Sequence, residues 1–267
     1  MNQIVRRVGT AIIAFGFDPR RTLGSLRFFG GYLMDLMHWR STRDARDAIQ
    51  FPLRILPTLS DKYLASGAAS GHYFHQDLWA ARHIFRHNPA RHIDVGSRTD
   101  GLISHLLVFR SVEVLDIRPL QSQVDGLKFR QANLMSNLPL GVEPCESVSC
   151  LHALEHFGLG RYGDPISPDG WRIGLRCLAY LVVDRGRLYL SVPIGQPAVE
   201  FNAQRIFRVQ YILDEARMHG LSLMSFSYVD DVGDFHMDVE ICDSIMTYCN
   251  SLDYGCGCFL FEKIATR

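Results

Sequence analysis

The spacing of apolar and polar positions predicts alternating strands and helices from residue 71 onward. Apolar runs of strand length occur at residues 92–95, 112–115, 127–132, 146–151, 187–192, 221–229 and 256–263. Apolar positions at helical spacing occupy residues 71–87, 102–109, 171–183 and 210–219. Strands that alternate with helices indicate a mostly parallel sheet, and two successive strands at the end indicate an antiparallel last strand. The predicted fold class is therefore α/β.

Residues 1–60 differ in character from the rest and form a predicted helical extension to a domain of residues 61–267. The first fifty residues contain eight arginines, four aspartates and no lysine. Residues 23–39 carry apolar side chains at helical spacing. A cap packed on the main domain is the preferred interpretation, because the apolar stripe is broad. The alternative is a basic interfacial helix that makes a peripheral contact with a membrane or a partner protein.

Composition narrows the class of protein. The 267 residues have zero formal net charge, which argues against a nucleic-acid-binding surface. The seven cysteines are odd in number and lack the spacing of a secreted disulfide framework. The apolar run of residues 8–17 is too short to span a bilayer and lacks a convincing cleavage site. We expect a cytoplasmic protein, with the inner face of the membrane as an alternative location.

Residues 91–120 carry the clearest functional signal. A short apolar strand ends at Val95, a turn runs from Gly96 to Gly101, and the next strand ends at Asp116. This order is typical of a βαβ unit that binds a mononucleotide. An acid at the tip of the second strand can bind the two hydroxyls of a ribose.

The turn departs from the dinucleotide pattern G-x-G-x-x-G. Arg98 replaces the middle glycine, which otherwise lets the backbone approach a pyrophosphate. A dinucleotide, and with it a nicotinamide-dependent oxidoreductase, is therefore disfavoured. A nucleoside ligand without a pyrophosphate, such as S-adenosylmethionine, suits the turn better. A tight turn that binds no ligand is the alternative.

A polar cluster follows the fourth predicted strand. His152, Glu155 and His156 are three and four positions apart, so they share a face if the segment is helical. We predict His156 as the proton acceptor, Glu155 as a group that supports it or binds the acceptor, and His152 as a contact of the cofactor. In the alternative, one histidine lines a pocket and the other bonds the backbone. A metal site on these three residues is less favoured, and no metal is predicted.

Three further stretches carry candidate side chains. The loop after the cluster offers groups that could orient a polar acceptor: Arg161, Tyr162 and Asp164. Residues 71–79 either form a lid over a ligand or place His75 and Gln76 as helix caps. Cys256 and Cys258 share one face of the last strand, where a packed pair is favoured over a metal clip.

Four runs carry a family resemblance: HIDVGSRTDG, VEVLDIRPL, SCLHALEHFGLGRYGDP and GRLYLSVPIG. They resemble a bacterial domain-of-unknown-function family, number 268, within the class I S-adenosylmethionine-dependent methyltransferase superfamily. The resemblance covers roughly residues 60–262 and is most specific in HALEHFGLGRYGDP. It implies a Rossmann-like, seven-stranded, mostly parallel sheet that binds S-adenosylmethionine. It also implies methyl transfer to a small or carbohydrate hydroxyl, with a role in surface polysaccharide synthesis.

The resemblance assigns the cofactor to particular positions of this chain: Asp94, Gly96, Ser97, Arg98, Asp116, Ile117, Asn133, Leu134 and His152. Asp116 would hold the ribose hydroxyls. Asn133 stands where many methyltransferases have an acid, and its carbonyl could accept a hydrogen bond from the adenine amino group. Leu134 would pack on the adenine. A guanidinium at Arg98 could pair with the methionine carboxylate.

A protein of another class remains the rival interpretation. A binding or scaffold protein could keep the fold and lose turnover, and Arg98 in the cofactor turn favours this reading. The polar set of His152, Glu155 and His156 favours an enzyme. In either case a small-molecule or glycan partner is expected, and no nucleic acid.

Overall fold

The structure, a computed structural model, describes residues 13, 15–16, 18–59, 61–63, 66–136 and 141–265. The chain divides into two compact units, Met1–Ala68 and Ala69–Arg267. The predicted boundary after residue 60 falls within the first unit. Most of the apolar run 8–17 lies outside the described residues. Among the described residues, no helix combines the length and the apolar character needed to cross a bilayer.

The first unit is helical where it is described. Helix α1, Pro19–Thr42, contains the predicted helical segment 23–39 and extends beyond both of its ends. Helix α2, Ala45–Gln50, follows, and a 3-10 turn spans Asp61–Tyr63. The predicted N-terminal helical extension is thus confirmed.

The second unit is built on a central sheet whose strands follow the predicted apolar runs. Its members are β1 Ile93–Val95, β2 Val112–Asp116, β3 Leu127–Gln131, β4 Cys145–Leu151, β5 Val182–Ile194, β8 Leu221–Val229, β9 Phe235–His236 and β10 Gly255–Lys263. The two-residue strand β9 adds an eighth strand to the seven predicted. Two further strands, β6 Ala198–Glu200 and β7 Gln204–Ile206, pair with each other as a separate hairpin that the sequence analysis did not predict.

The order of the strands is β3-β2-β1-β4-β5-β10-β8-β9. Strands β1 to β5 pair in parallel, whereas β10 runs antiparallel to both of its neighbours, β5 and β8. The predicted Rossmann-like sheet with an antiparallel last strand is confirmed, and that strand lies inside the sheet. Because β1 to β4 are parallel, their carboxyl ends meet at one edge, where ligands of open α/β sheets bind.

Helices pack on the sheet and bury its two apolar clusters. They are α3 His72–His87, α4 Ser104–Leu107, α5 Gly170–Leu181, α6 Val209–Met218 and α7 Asp243–Ser251. Trp79 and Ile84 of α3 belong to one cluster, and Leu178 of α5 and Ile212 of α6 belong to the other. The predicted helix 102–109 is instead a π-helical turn, Thr99–Ile103, that leads into the short α4.

The glycines at both ends of the 96–101 turn are required by close packing. Gly96 has φ 71°, in the left-handed region, and a Cβ built on it would lie 2.9 Å from the Cβ of Ala153. A Cβ on Gly101 would meet the carboxylate of Asp77, a buried side chain of α3. The turn therefore keeps its outer glycines for reasons of packing, independent of any pyrophosphate.

Replacing Gly96 by alanine should destabilise the protein through two separate effects. The left-handed backbone and the contact with Ala153 should together lower the free energy of unfolding by roughly 2–4 kcal/mol. Gly163→Ala is the matched control, since Gly163 has φ 83° and no described atom within 4 Å of its Cβ position. It should cost only about 1–2 kcal/mol. Urea denaturation measures both, and equal losses would contradict the packing role of Gly96.

Candidate active site

A cavity of about 350 Å³ opens where β1 to β4 end. Most of the predicted site residues line it: Gly96, Arg98, Asp116, Ile117, Asn133, Leu134, His152, Glu155 and His156. The predicted acceptor-binding side chains Arg161, Tyr162 and Asp164 line it too. Its size falls within the range of small-molecule sites. Parallel strands thus bring together residues that are dispersed between positions 96 and 164.

Asp94 and Ser97 lie beneath the cavity rather than in its wall. The fully buried Asp94 carboxylate accepts hydrogen bonds from the Ser97 backbone N–H (3.0 Å), the Ser97 hydroxyl (2.6 Å) and the Ser149 hydroxyl. The Ser97 hydroxyl in turn accepts from the Leu151 backbone N–H at 3.0 Å. Both residues therefore tie the turn after β1 to β4, and their contact with a cofactor stays a prediction.

Burial raises the pKa of Asp94 to about 6, because desolvation outweighs the hydrogen bonds that favour its charged form.

Arg98 is paired within its own turn. Its guanidinium donates to the Asp100 carboxylate through Nε (3.0 Å) and Nη2 (2.6 Å), and its Cζ lies 4.9 Å from the centre of the Tyr73 ring. The side chain is about half exposed. Because Asp100 engages Nε and one Nη2 hydrogen, a ligand carboxylate would bind Arg98 through Nη1 or the second Nη2 hydrogen.

Asp116 is bound by an arginine that the sequence analysis did not single out. Both the backbone N–H of Arg118 (2.8 Å) and its Nε (3.1 Å) donate to Oδ1, and Nη2 donates to Oδ2 at 2.7 Å. The guanidinium also stacks on Tyr162, with Cζ 4.3 Å from the ring centre. Since a carboxylate oxygen can accept two hydrogen bonds, Oδ2 keeps an acceptor position and Oδ1 does not.

Asn133 lines the cavity beside Leu134. Its Oδ1 accepts the backbone N–H of Met135 at 2.9 Å, which uses one of the two acceptor positions of that oxygen. The second position and the amide N–H groups can contact a ligand, so the predicted bond to the adenine amino group stays a prediction. Leu134 is 3% exposed and lines the same wall.

Glu155 has no exposed surface and lies at the centre of the polar cluster. Its Oε1 accepts the Nδ1–H of His152 at 2.7 Å and lies 3.6 Å from Nε2 of His156. Its Oε2 has no hydrogen-bond partner among the described residues. A buried carboxylate oxygen without a donor is costly, so this atom indicates a position where a ligand or water donates a hydrogen bond.

His152 extends the hydrogen-bond network of Glu155 to His72, which was not among the predicted site residues. Its Nε2 lies 3.2 Å from Nδ1 of His72, whose Nε2 lies 3.1 Å from the backbone carbonyl of Tyr254. A carbonyl only accepts, so Nε2 of His72 carries hydrogen. Burial lowers the pKa of His72 to about 4, which leaves this ring neutral. Burial also opposes the charge on His152, but Glu155 and Cys256 together more than offset it and raise that pKa to about 10.

His156 is held in one tautomer. Its Nδ1 lies 2.7 Å from the carbonyl oxygen of Ala203 and 3.3 Å from Nη1 of Arg161, which itself donates to Ala203 at 3.0 Å. The carbonyl only accepts and its contact with Nδ1 is the shorter one, so Nδ1 carries hydrogen and Nε2 is left with its lone pair. Burial lowers the pKa of His156, which favours this neutral form. An unprotonated nitrogen beside the Glu155 carboxylate is suited to receive a proton.

The loop after His156 is held in place by hydrogen bonds to its own backbone. Asp164 accepts hydrogen bonds from the backbone N–H groups of Gly158 (2.7 Å), Gly160 (3.2 Å) and Tyr162 (3.2 Å), so it folds the loop. The buried Arg205 donates to the carbonyls of Glu155 (3.2 Å) and Phe157 (2.6 Å). Of the predicted acceptor-binding groups, Tyr162 and Arg161 are the better placed.

The first residues of α3 provide no side-chain cap for the helix, and they do not cover the cavity as a complete lid. His75 stacks on Phe235 at 5.3 Å and Gln76 is buried, so neither caps the helix. The residue in the cap position is Gly71, which has no side chain to offer. Tyr73 alone of residues 71–79 lines the cavity.

Several contributors escaped the sequence analysis: His72, Tyr73, Arg118, Gln204 and Arg205. Arg118 follows Asp116 by two positions, which is a signal that could have been noticed. The others reach the site through tertiary contacts that spacing does not reveal.

Comparison with known proteins supports the fold. Residues 129–248 match the family described as "Caenorhabditis protein of unknown function, DUF268", so the predicted restriction to bacteria is not supported. The solved structure of 1,6-didemethyltoxoflavin-N1-methyltransferase from Burkholderia thailandensis is 14% identical, with a TM-score of 0.50 over 71% of this chain and 79% of that one. The second unit has the class I methyltransferase fold. No curated protein matches the sequence.

A second structure is similar to the same degree. A protein from Galdieria sulphuraria, provisionally named sarcosine dimethylglycine methyltransferase, is 14% identical with a TM-score of 0.50. The match covers 71% of this chain and 86% of that one. At such identities the likeness shows the fold, and function must be argued from the site.

The raised pKa of Asp94 makes a prediction about stability and pH. The unfolded chain loses the Asp94 proton near pH 3.8, whereas the folded protein retains it until about pH 6. The stability that the neutral form contributes is therefore present below pH 3.8 and lost as pH rises through 6. Relative to Asp94→Asn, the wild type should lose roughly 2 kcal/mol of unfolding free energy between pH 4 and 7.

Urea denaturation at several pH values checks this difference. Asp125→Asn, at an exposed position, serves as the control and should show a constant offset from the wild type. A constant offset for Asp94→Asn as well would show that Asp94 does not titrate as inferred.

Proposed function

We propose that the protein is an S-adenosylmethionine-dependent methyltransferase of class I. The observation that carries the proposal is the free Nε2 of His156 beside the buried Glu155 carboxylate, in the wall of a cavity at the ligand-binding edge of this fold. The Burkholderia relative was solved with S-adenosylhomocysteine and its substrate bound, which makes this ligand the first to test.

The residues of the cavity fit this cofactor. Asp116 retains an acceptor position on Oδ2 for a ribose hydroxyl, next to the Arg118 guanidinium. Gly96 lines the cavity and has no side chain, so a ligand can approach its backbone closely. The amide N–H groups of Asn133 can donate to a ring nitrogen of adenine, and its Oδ1 keeps a second acceptor position for the adenine amino group. Leu134 adds apolar surface in the same wall.

The chain's own residues can then carry out the proton transfer. When bound, S-adenosylmethionine supplies an electrophilic methyl group on a sulfonium centre. Nε2 of His156 would take the proton of the acceptor as the methyl carbon exchanges its bond to sulfur for a bond to the acceptor oxygen, with S-adenosylhomocysteine as the leaving group. Ala203 fixes the tautomer, and the Glu155 carboxylate stabilises the imidazolium that results. The unpartnered Oε2 of Glu155 can accept a hydrogen bond from the acceptor and orient it.

The proposal extends to O-methylation of a small or carbohydrate hydroxyl, with a role in surface polysaccharide synthesis. A carbohydrate with neighbouring hydroxyls suits this pair, because one hydroxyl can donate to Oε2 of Glu155 while the next gives up its proton to Nε2 of His156. Arg161 and Tyr162 add polar and aromatic surface suited to a sugar. A peripheral contact with a membrane or partner protein would use the apolar side chains that α1 exposes: Leu23, Leu26, Met34 and Met37.

A non-catalytic binding or scaffold protein is the second candidate. The observation in its favour is the Arg118 guanidinium, which already binds both oxygens of the proposed ribose acid. The pairing of Arg98 with Asp100 adds to it. Binding of S-adenosylhomocysteine without methyl transfer to any acceptor would support this candidate.

The assignment of Asp116 predicts a specific loss of cofactor affinity. Asp116→Ala should weaken S-adenosylhomocysteine binding by roughly 1.5–3 kcal/mol, because the charge-assisted hydrogen bond from a ribose hydroxyl to Oδ2 is lost. Asp214→Ala is the control, since Asp214 is also paired with an arginine, Arg217 at 3.3 Å, but does not line the cavity. Isothermal titration calorimetry measures both. Equal affinities in the two folded variants would rule out the ribose role.

The assignment of His156 predicts a loss of rate at nearly constant cofactor affinity. His156→Ala should slow methyl transfer by about 10²–10⁴-fold. Because burial lowers the pKa of His156, the wild-type rate should decline only below the ordinary imidazole range as pH falls. His219→Ala is the matched control, since His219 pairs with Glu215 at 3.1 Å outside the cavity.

The assay uses methyl-labelled S-adenosylmethionine with a panel of sugars and sugar phosphates. Full activity of His156→Ala would exclude it as the base. Loss of S-adenosylhomocysteine binding in that variant would instead make it a cofactor contact.

A further inference from the structure

Three potential metal ligands from distant parts of the chain meet beside the cavity. His72 is the first residue of α3, His152 follows β4, and Cys256 lies in β10. One ligand atom from each lies within 4.8 Å of the others. Methyl transfer as proposed above uses neither His72 nor Cys256. We propose that His72, His152 and Cys256 form a zinc-binding site.

The two histidines have the separation of ligands to one ion. Nδ1 of His72 and Nε2 of His152 are 3.2 Å apart. Two nitrogens at the usual zinc distance in a tetrahedral site are about 3.3 Å apart. The pair therefore needs little movement to bind one ion.

The outer nitrogens of both rings are hydrogen-bonded as in metal-bound histidines. Nδ1 of His152 donates to the Glu155 carboxylate at 2.7 Å, and Nε2 of His72 donates to the Tyr254 carbonyl at 3.1 Å. Metal-ligating histidines commonly donate their second N–H to a carboxylate or a backbone carbonyl. These contacts turn the remaining nitrogen of each ring toward the other.

The third ligand selects the kind of metal. Cys256 is fully buried, and its thiol makes long contacts with Oε1 of Gln76 at 3.7 Å and with the Gly257 carbonyl oxygen at 3.9 Å. Two imidazoles and a thiolate are a set suited to Zn²⁺, and three protein ligands leave a fourth position for water. A hard cation such as Mg²⁺ would require oxygen ligands instead.

The balance of charge also permits the ion. Without metal, a proton between the two histidines balances the buried Glu155 carboxylate. Zinc binding would expel that proton and the proton of the Cys256 thiol, so one doubly charged ion replaces two protons. The site then remains neutral, with the thiolate and the Glu155 carboxylate opposing the metal charge. No redox change is involved.

His152 has an unusual backbone that suits a fixed ligand. Its φ of 49° lies in the left-handed region, which is uncommon for residues other than glycine. Its backbone N–H donates to the Ser191 carbonyl at 3.0 Å, so the conformation is held by the neighbouring strand β5. This placement fixes the imidazole between Glu155 and His72.

The test is a titration of the full chain, freed of metal by a chelator, with Co²⁺ and then Zn²⁺. One equivalent of Co²⁺ should give tetrahedral visible bands and a near-ultraviolet thiolate-to-cobalt band, and Zn²⁺ should displace it. Binding should release about two protons per ion. Absence of the thiolate band at stoichiometric cobalt would overturn the proposal and leave the histidines as a hydrogen-bonded pair.

Two variants and one control locate the ion. Cys256→Ser should abolish the thiolate band, and His72→Gln should weaken zinc binding by roughly 100-fold. Cys249→Ser replaces another fully buried cysteine, in α7, and should bind metal as the wild type does. A thiolate band that persists in Cys256→Ser would also overturn the assignment.

Thermal unfolding shows whether each variant is folded, so that lost zinc binding can be told apart from a failure to fold. Zn²⁺ should raise the melting temperature of the wild type and of Cys249→Ser. It should also protect Cys256 of the wild type from alkylation, as measured by mass spectrometry of its peptide. Alkylation at the same rate with and without zinc would count against the site, whatever the state of the variants.

Discussion

The buried carboxylate of Glu155 is the group on which the arrangement of the site depends. A carboxylate removed from water must be balanced by a charge or by hydrogen bonds. His152 provides the balance through Nδ1, which fixes its ring and directs its other nitrogen toward His72. Arg205 donates a hydrogen bond to the backbone carbonyl oxygen of Glu155. The segment after β4 therefore has little freedom to place these side chains otherwise.

The same carboxylate separates the functions of the two histidines. His152 is bound tightly to it and is favoured in its charged form, so it is poorly suited to accept a proton. His156 lies farther away, at 3.6 Å, and its proton is directed to the Ala203 carbonyl. A single acid thus supports one histidine as a fixed structural group and leaves the other neutral. This is why we assign proton transfer to His156.

The fold and the outline of the cavity could be predicted because their signals are local. Strand β8 has the predicted bounds, and α3 begins one residue from its predicted start, since apolar periodicity reports directly on burial. The acid that ends β2 was likewise visible. The sequence does not show which groups of the site are hydrogen-bonded to one another. The Asn133 carbonyl is bound by Met135, and only the folded loop shows that.

Contacts between segments that are distant in the sequence also could not be predicted. Nothing in the spacing of His72 and Cys256 indicates that β10 enters the sheet between β5 and β8 and thereby reaches the start of α3. The sequence analysis treated Cys256 and Cys258 as a packed pair because it considered the strand alone. Local patterns identify which residues are buried, but the order of strands determines their neighbours.

The close approach of Asp77 to Gly101 has a consequence for how relatives of this chain should be recognised. The second glycine of the turn is constrained by a side chain of the preceding helix, so the two positions should covary across an alignment. Where an acid stands at the position of Asp77, glycine should be retained at that of Gly101, and a smaller residue at the first should permit alanine at the second. A search profile that couples these two columns would find homologues that a three-glycine fingerprint rejects.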